Sequence, residues 1–250
     1  MSRVNDILRT RRILLLMFGA PGTGKGTFGK QLASDYGFIH VVTGMLLTFI
    51  VINTGDLLRN ASQRDSVVAH QIRDIISQGS HVEDGLICNI VRNEITACSM
   101  GTILDGTPRT SGQALFVKSL ADSLGFQVLG ADLSLDRDIL IERLLGRRHC
   151  AVCKRTYNLC TINRDGHIMD ALLPSKSDIE KCKGCSNLEM RSDDTREIIE
   201  HRLDLYDNTH MNVLASLAEV PIMRFSIRKG LGDYLEFKNQ LDKFLEDHLL

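Results

Sequence analysis

The chain has 250 residues, of which 43% are hydrophobic and 24% charged, and its formal net charge at pH 7 is -1. This composition is typical of one large globular domain, or of one domain with sizeable insertions. The chain lacks the basic excess that nucleic-acid-binding proteins usually carry, and its most apolar stretch, MLLTFIVI at 45–52, is far shorter than the roughly 20 residues of a membrane helix. We therefore expect neither a nucleic acid nor a membrane as partner.

Strand-like and helix-like segments alternate along the chain. The predicted strands are 12–19 (RILLLMFG), 38–42 (FIHVV), 102–105 (TILD), 128–135 (VLGADLSL) and 221–227 (PIMRFSI). The predicted helices run from the Gly-rich residues to about 36 and over about 55–77, 84–98, 111–124, 137–146, 192–217 and from 233 onward. Such alternation predicts a parallel sheet that helices cover on both faces, with ligands bound at the carboxyl ends of the strands.

The stretch GAPGTGKGT at 19–27 follows the first strand and opens a helix. Backbone N–H groups of such a loop point inward, and the helix N-terminus adds partial positive charge, so the loop suits nucleotide phosphates. The ammonium of Lys25 would reach the outer phosphates. Gly26 stands where the strict motif has a metal-binding hydroxyl, which Thr27 supplies one position later. The predicted ATP-phosphate site comprises Gly22, Thr23, Gly24, Lys25, Gly26 and Thr27.

Four of the seven cysteines form two C-x-x-C pairs, with 28 residues between the pairs. Two such pairs in a polar segment suit one tetrahedral zinc ion better than a disulfide framework. Iron in the same cage is the alternative, and four unligated thiols are disfavoured because the segment has little apolar material. The predicted ligands are Cys150, Cys153, Cys182 and Cys185, with His149 and Cys160 as neighbours. Since four protein ligands leave no open position, the metal should be structural.

Five motifs together resemble the adenylate kinases in order and approximate spacing. They are GAPGTGKGT (19–27), TGDLLR (54–59), LDGTPRT (104–110), LLGRRHC (144–150) and RSDD (191–194). The resemblance implies a P-loop kinase core with a parallel five-stranded sheet, a zinc-bearing lid and a helical AMP flap. It also implies reversible phosphoryl transfer from Mg-ATP to AMP, giving two ADP.

Mapped onto this chain, the resemblance implies three regions. The core comprises 1–53, 99–146 and 191–250, the helical region that binds the nucleoside monophosphate is 54–98, and the zinc lid is 147–190. We expect a monomer in the cytoplasm, with an organelle such as the mitochondrion as the alternative.

The resemblance also assigns roles to single residues. Arg143 and Arg147 in ERLLGRR lie four residues apart, on one face of a predicted helix end, and would meet ATP. Asp56 and Asp105 would hold the magnesium shell. The AMP site would comprise Thr54, Arg59, Val82, Gly106, Arg109, Gln113, Arg191 and Arg202. The catalytic set would be Lys25, Arg143, Arg191 and Arg202. The acceptor is itself a phosphate oxygen, so no general base is needed and cations should dominate.

Several features depart from the family pattern or have a second interpretation. Thr107 stands where the family usually has Phe, beside the expected AMP pocket, so UMP, CMP or GMP as acceptor is the alternative to AMP. The family also usually has Pro-Leu after the Tyr-x-x-Thr of the long helix, and YDNTHMNVL at 206–214 has none. Asp193 and Asp194 lie at a predicted helix start, where capping is at least as good an explanation as chemistry.

The dipeptide Thr-Gly occurs at 43–44 and again at 54–55, and only the second copy is followed by DLLR. We predict that residues 44–54 are an eleven-residue insertion. Its ends can be encoded by splice-donor-like and splice-acceptor-like codons, so a retained intron is one hypothesis and a genuine insertion the other. An insertion that disorders the AMP flap would make the chain an inactive nucleotide-binding protein, which is a further alternative. Sequencing the mature transcript distinguishes the two origins.

Overall fold

The computed structural model describes residues 8, 11–35, 49–53, 84–98, 101–153, 155–191 and 193–249. Its central sheet has five parallel strands: β1 (Ile13–Gly19), β2 (Phe49–Asn53), β3 (Gly101–Asp105), β4 (Gln127–Ser134) and β10 (Ile222–Ser226). Their order across the sheet is β10-β4-β1-β3-β2. The predicted class, a parallel five-stranded sheet flanked by helices, is confirmed.

Helices connect the strands on both faces of the sheet. In the described residues they are α1 (Lys25–Asp35), α2 (Asp84–Thr96), α3 (Ser111–Ser123), α4 (Arg137–Leu145), α5 (Lys176–Lys181), α6 (Arg196–Ala215) and α7 (Tyr234–Leu249). The predicted helix over 55–77 lies outside the described residues. Within those residues, no helix combines the length and the apolar composition that a membrane crossing requires.

All seven residues of β1 are buried, because strands flank it on both edges and helices cover both faces. Its side chains alternate between two cores. Leu15 and Met17 pack in the cluster that contains Phe28 of α1 and Phe237 of α7. Leu14 and Leu16 pack on the other face, in the cluster that contains Val91 of α2. This continuous apolar run is the pattern expected of a buried parallel strand.

The edge strand β2 lies within the predicted insertion 44–54. Residues 49–53 pair in parallel with β3, in a register that places Asn53 opposite Asp105. The predicted second strand, 38–42, lies outside the described residues. In the structure, residues 49–53 therefore belong to the core sheet rather than to a loop that interrupts it.

The segment 147–190 contains two small sheets that we did not predict. Strands β5 (Arg147–Cys150), β6 (Thr156–Asn158) and β9 (Leu188–Glu189) form one sheet. Strands β7 (Ile162–Arg164) and β8 (His167–Met169) form a separate hairpin. The hairpin turns at Asp165 and Gly166, which have φ values of 53° and 75°. Asp-Gly between two short strands is a typical signal for such a tight turn.

Candidate active site

A cavity of about 480 Å³ lies at the carboxyl ends of β1 and β3. It is bounded by the loop after β1, the residues after β3, the end of α4, part of the segment 147–190, and α6. Predicted site residues that line it are Gly22, Gly24, Lys25, Gly26, Thr27, Asp105, Gly106, Arg109, Arg143, Arg147, Arg191 and Arg202. The fold therefore brings together residues that are far apart in sequence.

The loop between β1 and α1 has the conformation of a phosphate-binding loop. Gly22 and Gly24 have φ values of 94° and 97°, which residues with side chains rarely adopt. The buried hydroxyl of Thr23 donates to the carbonyl of Ala20 over 2.9 Å and fixes the turn. Helix α1 begins at Lys25, so its first N–H groups lie next to the cavity.

Lys25 is held against the loop that contains it. Its Nζ donates to the carbonyls of Gly19 and Ala20, at 2.5 Å and 2.9 Å. Burial lowers the pKa of Lys25 to about 8, while the nearby carboxylate of Asp105 acts in the opposite direction. Asp105 is itself buried at the end of β3. Lys25 at the start of α1 and Asp105 at the end of β3 thus place opposite charges beside the same cavity.

Two buried carboxylates hold two of the arginines in place. Asp194, which is fully buried, accepts from Nε of Arg147 at 2.8 Å and also from its Nη2. Asp193 accepts from Nη1 of Arg202 at 3.0 Å. Burial, followed by the proximity of Arg147, lowers the pKa of Arg202 to about 10.

These contacts correct two predictions. The N-cap of α6 is Thr195, whose hydroxyl accepts from the N–H of Ile198, so capping does not explain Asp193 and Asp194. Arg147 does not share a helix end with Arg143, because α4 ends at Leu145 and Arg147 begins β5. Both arginines nevertheless line the same cavity.

The predicted residue Gln113 does not line the cavity, and it is buried rather than exposed on the helix surface. Its Oε1 accepts from the backbone N–H of Arg109 at 2.8 Å, and its Nε2 donates to Asp84 at 2.8 Å. Asp84 also accepts from the hydroxyl of Thr110 at 2.7 Å. We did not predict this role for Asp84. Its position as the first residue of α2 is the only local signal, since acidic residues favour helix starts.

A second set that we missed lines the cavity along α6. The ring of His210 stacks on Tyr206, with centroids 4.5 Å apart, and its Nε2 lies 3.0 Å from the carboxylate of Asp132. Both rings line the cavity. The predicted residues Thr54, Asp56, Arg59 and Val82 lie outside the described residues.

The four predicted metal ligands, which lie near both sequence ends of the segment 147–190, form one cluster. All their sulfur atoms lie within 4.8 Å of one another. The sulfurs of Cys150 and Cys182 are 3.8 Å apart, and those of Cys153 and Cys185 are 3.5 Å apart. A zinc ion with four bonds of about 2.3 Å places its sulfur ligands about 3.8 Å from one another. The arrangement therefore fits a tetrahedral zinc site.

A glycine-rich phosphate loop, a cluster of convergent arginines and a parallel sheet define a class of enzymes that transfer phosphoryl groups between nucleotides. A family model described as adenylate kinase matches residues 17–220 of the chain. The chain is 33% identical to the GTP:AMP phosphotransferase of Plasmodium falciparum, over 94% of this chain and 99% of that one. It is 33% identical to the adenylate kinase of Thermotoga neapolitana, over 77% of this chain and 79% of that one. It is also 31% identical to adenylate kinase 1, chloroplastic, of Arabidopsis thaliana, over 80% of this chain and 67% of that one.

The chain belongs to the adenylate kinase family. It is therefore an enzyme, a nucleotide-binding transferase with ATP:AMP phosphotransferase activity, as the sequence motifs predicted. Members of this family use Mg²⁺ together with ATP.

The first prediction concerns the buried pair of Arg147 and Asp194. Asp194→Ala should lower the free energy of unfolding by about 3 to 5 kcal/mol, because it leaves a largely buried guanidinium without its carboxylate. Urea denaturation measures the change. The control is Glu200→Ala, which breaks the exposed pair with Arg196 and should cost less than about 1 kcal/mol. Equal costs for the two variants would contradict the assignment.

The second prediction concerns the charge of Lys25. Its pKa is about 8 in the folded chain, below the ordinary 10.5, so the ammonium is lost as the pH rises through about 8. Since the phosphates need the cation, kcat/KM for ATP should decline above that pH. Lys25→Arg should lack this decline, because a guanidinium stays charged. A flat wild-type profile between about pH 7 and 9.5 is the contrary result, since it spans the titration of Lys25.

Proposed function

We propose that this cavity binds Mg-ATP and AMP side by side and that its cations carry the transfer of the terminal phosphoryl group. The observation that supports the proposal is the convergence of Lys25, Arg109, Arg147, Arg191 and Arg202 on one cavity beside a phosphate-binding loop. A nucleoside with its phosphates would bring several negative charges into this space. Phosphoryl transfer to a phosphate oxygen needs such a cationic enclosure to neutralise the phosphate charges, and it needs no general base.

In the proposed arrangement the two nucleotides occupy opposite sides of the cavity. ATP phosphates lie on the loop 19–27, with Arg143 and Arg147 at the lid side. AMP lies near Arg109 and Gly106, together with Thr54, Arg59 and Val82, which the family resemblance assigns to it. Arg191 and Arg202 lie between them and neutralise the charge that develops on the transferred group.

Asp105 is the proposed outer ligand of the magnesium ion that arrives with ATP. Its buried position next to Lys25 fits this role, because carboxylates at the end of such strands hold the hydrated ion through water. Asp56 is the second proposed carboxylate. The ion would screen the phosphate charges while the chain keeps them in line.

AMP is the acceptor that the site favours. Gln113 connects the backbone of Arg109 with Asp84, so its amide is oriented by protein on both ends. We propose that this fixed amide also reads the acceptor base. An acceptor series of AMP, UMP, CMP and GMP with one donor measures how strongly the site prefers AMP.

GTP is a second candidate for the donor. The relative from Plasmodium falciparum is named a GTP:AMP phosphotransferase, and the match covers 99% of that protein. Comparing kcat/KM for ATP and GTP, with AMP as the acceptor, decides between the two donors.

We further propose that Cys150, Cys153, Cys182 and Cys185 hold one structural zinc ion. The backbone N–H of Cys153 donates to the sulfur of Cys150, and this bond lowers the pKa of the Cys150 thiol to about 7. Zinc requires thiolates, which this hydrogen bond favours at Cys150. The pKa of the Cys185 thiol is raised to about 12, so zinc would have to displace the proton there. The apolar core around the cluster is small, consisting of Cys150, Tyr157 and Cys185 with Cys182 and Leu188 packed against them. A metal would therefore supply most of the local stability.

We retain a monomer as the proposed oligomeric state and the cytoplasm as the proposed compartment. The word chloroplastic in the name of the Arabidopsis thaliana relative describes that protein. Light scattering tests the first proposal, and microscopy of a tagged chain tests the second.

The third prediction tests the proposed function. Lys25→Met should lower the rate of ADP formation from ATP and AMP by about 10²- to 10³-fold, because an electrostatic donor to the transferred group is removed. A coupled assay measures the rate. Lys243→Met, at an exposed position on α7, should retain the wild-type rate. The assignment fails if Lys25→Met retains near-normal turnover and an unchanged melting curve.

The fourth prediction tests the metal. Elemental analysis should find about one zinc per chain, since the four thiolates complete one tetrahedral site. Cys153→Ser should lose the metal, lower the melting temperature and raise the KM for ATP. It should leave AMP binding largely unchanged, because the described AMP-side residues lie outside this segment.

The control for the metal experiment is Cys88→Ser. Cys88 is a half-buried cysteine on α2 that is not part of the cluster, so its replacement should leave the zinc content unchanged. A purified chain that contains no metal and is fully active would overturn the zinc assignment.

A further inference from the structure

The hairpin β7–β8 belongs in sequence to the segment between the cysteine pairs, but it packs elsewhere. Ile162 and Met169 are each about 1% exposed, and they lie in the main core cluster together with Ile227 and Tyr234. The metal-ligand cluster has its own, separate apolar group. The segment 147–190 therefore consists of a cysteine-bearing part and a hairpin that is buried against the core.

Polar contacts fasten the hairpin to the core. The backbone N–H of Ile168 donates to the carbonyl of Arg228 at 2.9 Å. The guanidinium of Arg164 donates to the carboxylate of Glu142 on α4 at 2.6 Å and 3.1 Å. It also reaches Asp138, one turn earlier on the same helix, at 3.3 Å. Both strands of the hairpin are thus attached, one to α4 and one to the residues after β10.

The hairpin contacts one residue of the nucleotide site directly. Nη1 of Arg143 donates to the thioether sulfur of Met169 at 3.3 Å, and Nε of Arg143 lies 3.3 Å from the carbonyl of Gly22. At Gly230 a side chain would begin 3.4 Å from Nη1 of Arg143 and 3.5 Å from Cγ of Met169. The guanidinium is therefore enclosed by the phosphate loop, the hairpin and a glycine that leaves room for it.

The nature of these contacts matters for the charge of Arg143. In the part of the chain that the structure describes, the hydrogen bonds of the Arg143 guanidinium go to a carbonyl and a thioether. Burial lowers the pKa of this guanidinium, while the nearby Cys160 acts in the opposite direction. A carbonyl and a thioether orient the group without cancelling its charge. A carboxylate at position 169 would hold the guanidinium equally well, but it would reduce the attraction to an anionic ligand.

We propose that the hairpin Ile162–Met169 is a positioning element of the donor site, in which Met169 orients Arg143 toward the phosphates or base of the nucleoside triphosphate. This inference rests on the proposed assignment of Arg143 to the donor nucleotide. The hairpin acts through Arg143 and does not itself take part in the transfer.

Met169→Leu provides the main test, because it retains the packing volume and removes the sulfur acceptor. It should raise the Kd for ATP about three- to tenfold, as expected from the loss of a contact to a charged group. The Kd for AMP should stay within about twofold of the wild-type value. Ile168→Ala is the matched control, since Ile168 is 60% exposed on the same hairpin and should leave both values unchanged.

A double-mutant cycle separates positioning from general loosening. In an Arg143→Ala background, Met169→Leu should have no further effect on the Kd for ATP, because the group that it orients is gone. Equal effects in both backgrounds, or no effect in the wild-type background, would overturn the proposal. The titrations are repeated with GTP, so that the result does not depend on which donor the enzyme prefers.

A second variant serves if Met169→Leu does not fold. If Met169→Leu fails to fold by melting and circular dichroism, Arg164→Ala replaces it, since Arg164 is partly exposed and anchors the same hairpin. The same dependence on Arg143 is then expected, and its absence overturns the proposal.

The titrations measure nucleotide binding and need no turnover. If the wild-type chain binds ATP but forms no ADP with AMP, the proposed function is refuted. The positioning role of the hairpin is then still tested by the ATP affinities of the double-mutant cycle.

Discussion

The geometry of the site depends on the buried carboxylate of Asp194. Both Arg147 and Arg202 face this carboxylate: Nε of Arg147 lies 2.8 Å from one of its oxygens, and Nη1 of Arg202 lies 3.7 Å from the other. Two guanidiniums so close together repel each other, and in a partly buried site that repulsion is poorly screened. The carboxylate offsets the repulsion and fixes both groups before any nucleotide arrives. Asp193 adds a second acceptor for Arg202. The contact of Asp194 with Arg147 ties the residues before α6 to the start of β5.

The sheet, the helices and the phosphate loop could be predicted because their signals are local. The all-apolar run of β1 and the glycines of the next loop each specify a conformation within a few residues. The role of Asp194 could not be predicted in this way. An acidic residue at a helix start has the same local appearance whether it caps the helix or binds a distant cation. The deciding partner, Arg147, is 47 residues away in sequence.

The edge strand and the lid show two further limits. FIHVV and FIVIN are both β-prone and both precede Thr-Gly, so periodicity alone cannot decide which of them pairs with β3. An edge position adds to the ambiguity, because a strand with one neighbour has only half the pairing constraints of a central strand. The hairpin β7–β8 was different, since Asp165-Gly166 is a readable turn signal. What the sequence could not indicate was that its apolar residues pack on the core rather than beside the cysteines.

These features together give the segment 147–190 two points of attachment with different chemistry. The four-residue strand β5 carries Arg147 at one end and Cys150 at the other, so the cysteine cluster is connected directly to the carboxylate of Asp194. The hairpin fastens the same segment to α4 and to the core through apolar and ionic contacts. Between them, Asn158 donates to the carbonyl of Arg143 at 2.8 Å and exchanges backbone hydrogen bonds with Leu172, at 2.9 Å and 2.8 Å. Asn158 thus links the cysteine-bearing part of the segment to the backbone of Arg143, one of the arginines assigned to the donor nucleotide. The segment is therefore joined to the proposed donor site by an ionic contact at Arg147 and by a backbone contact at Arg143.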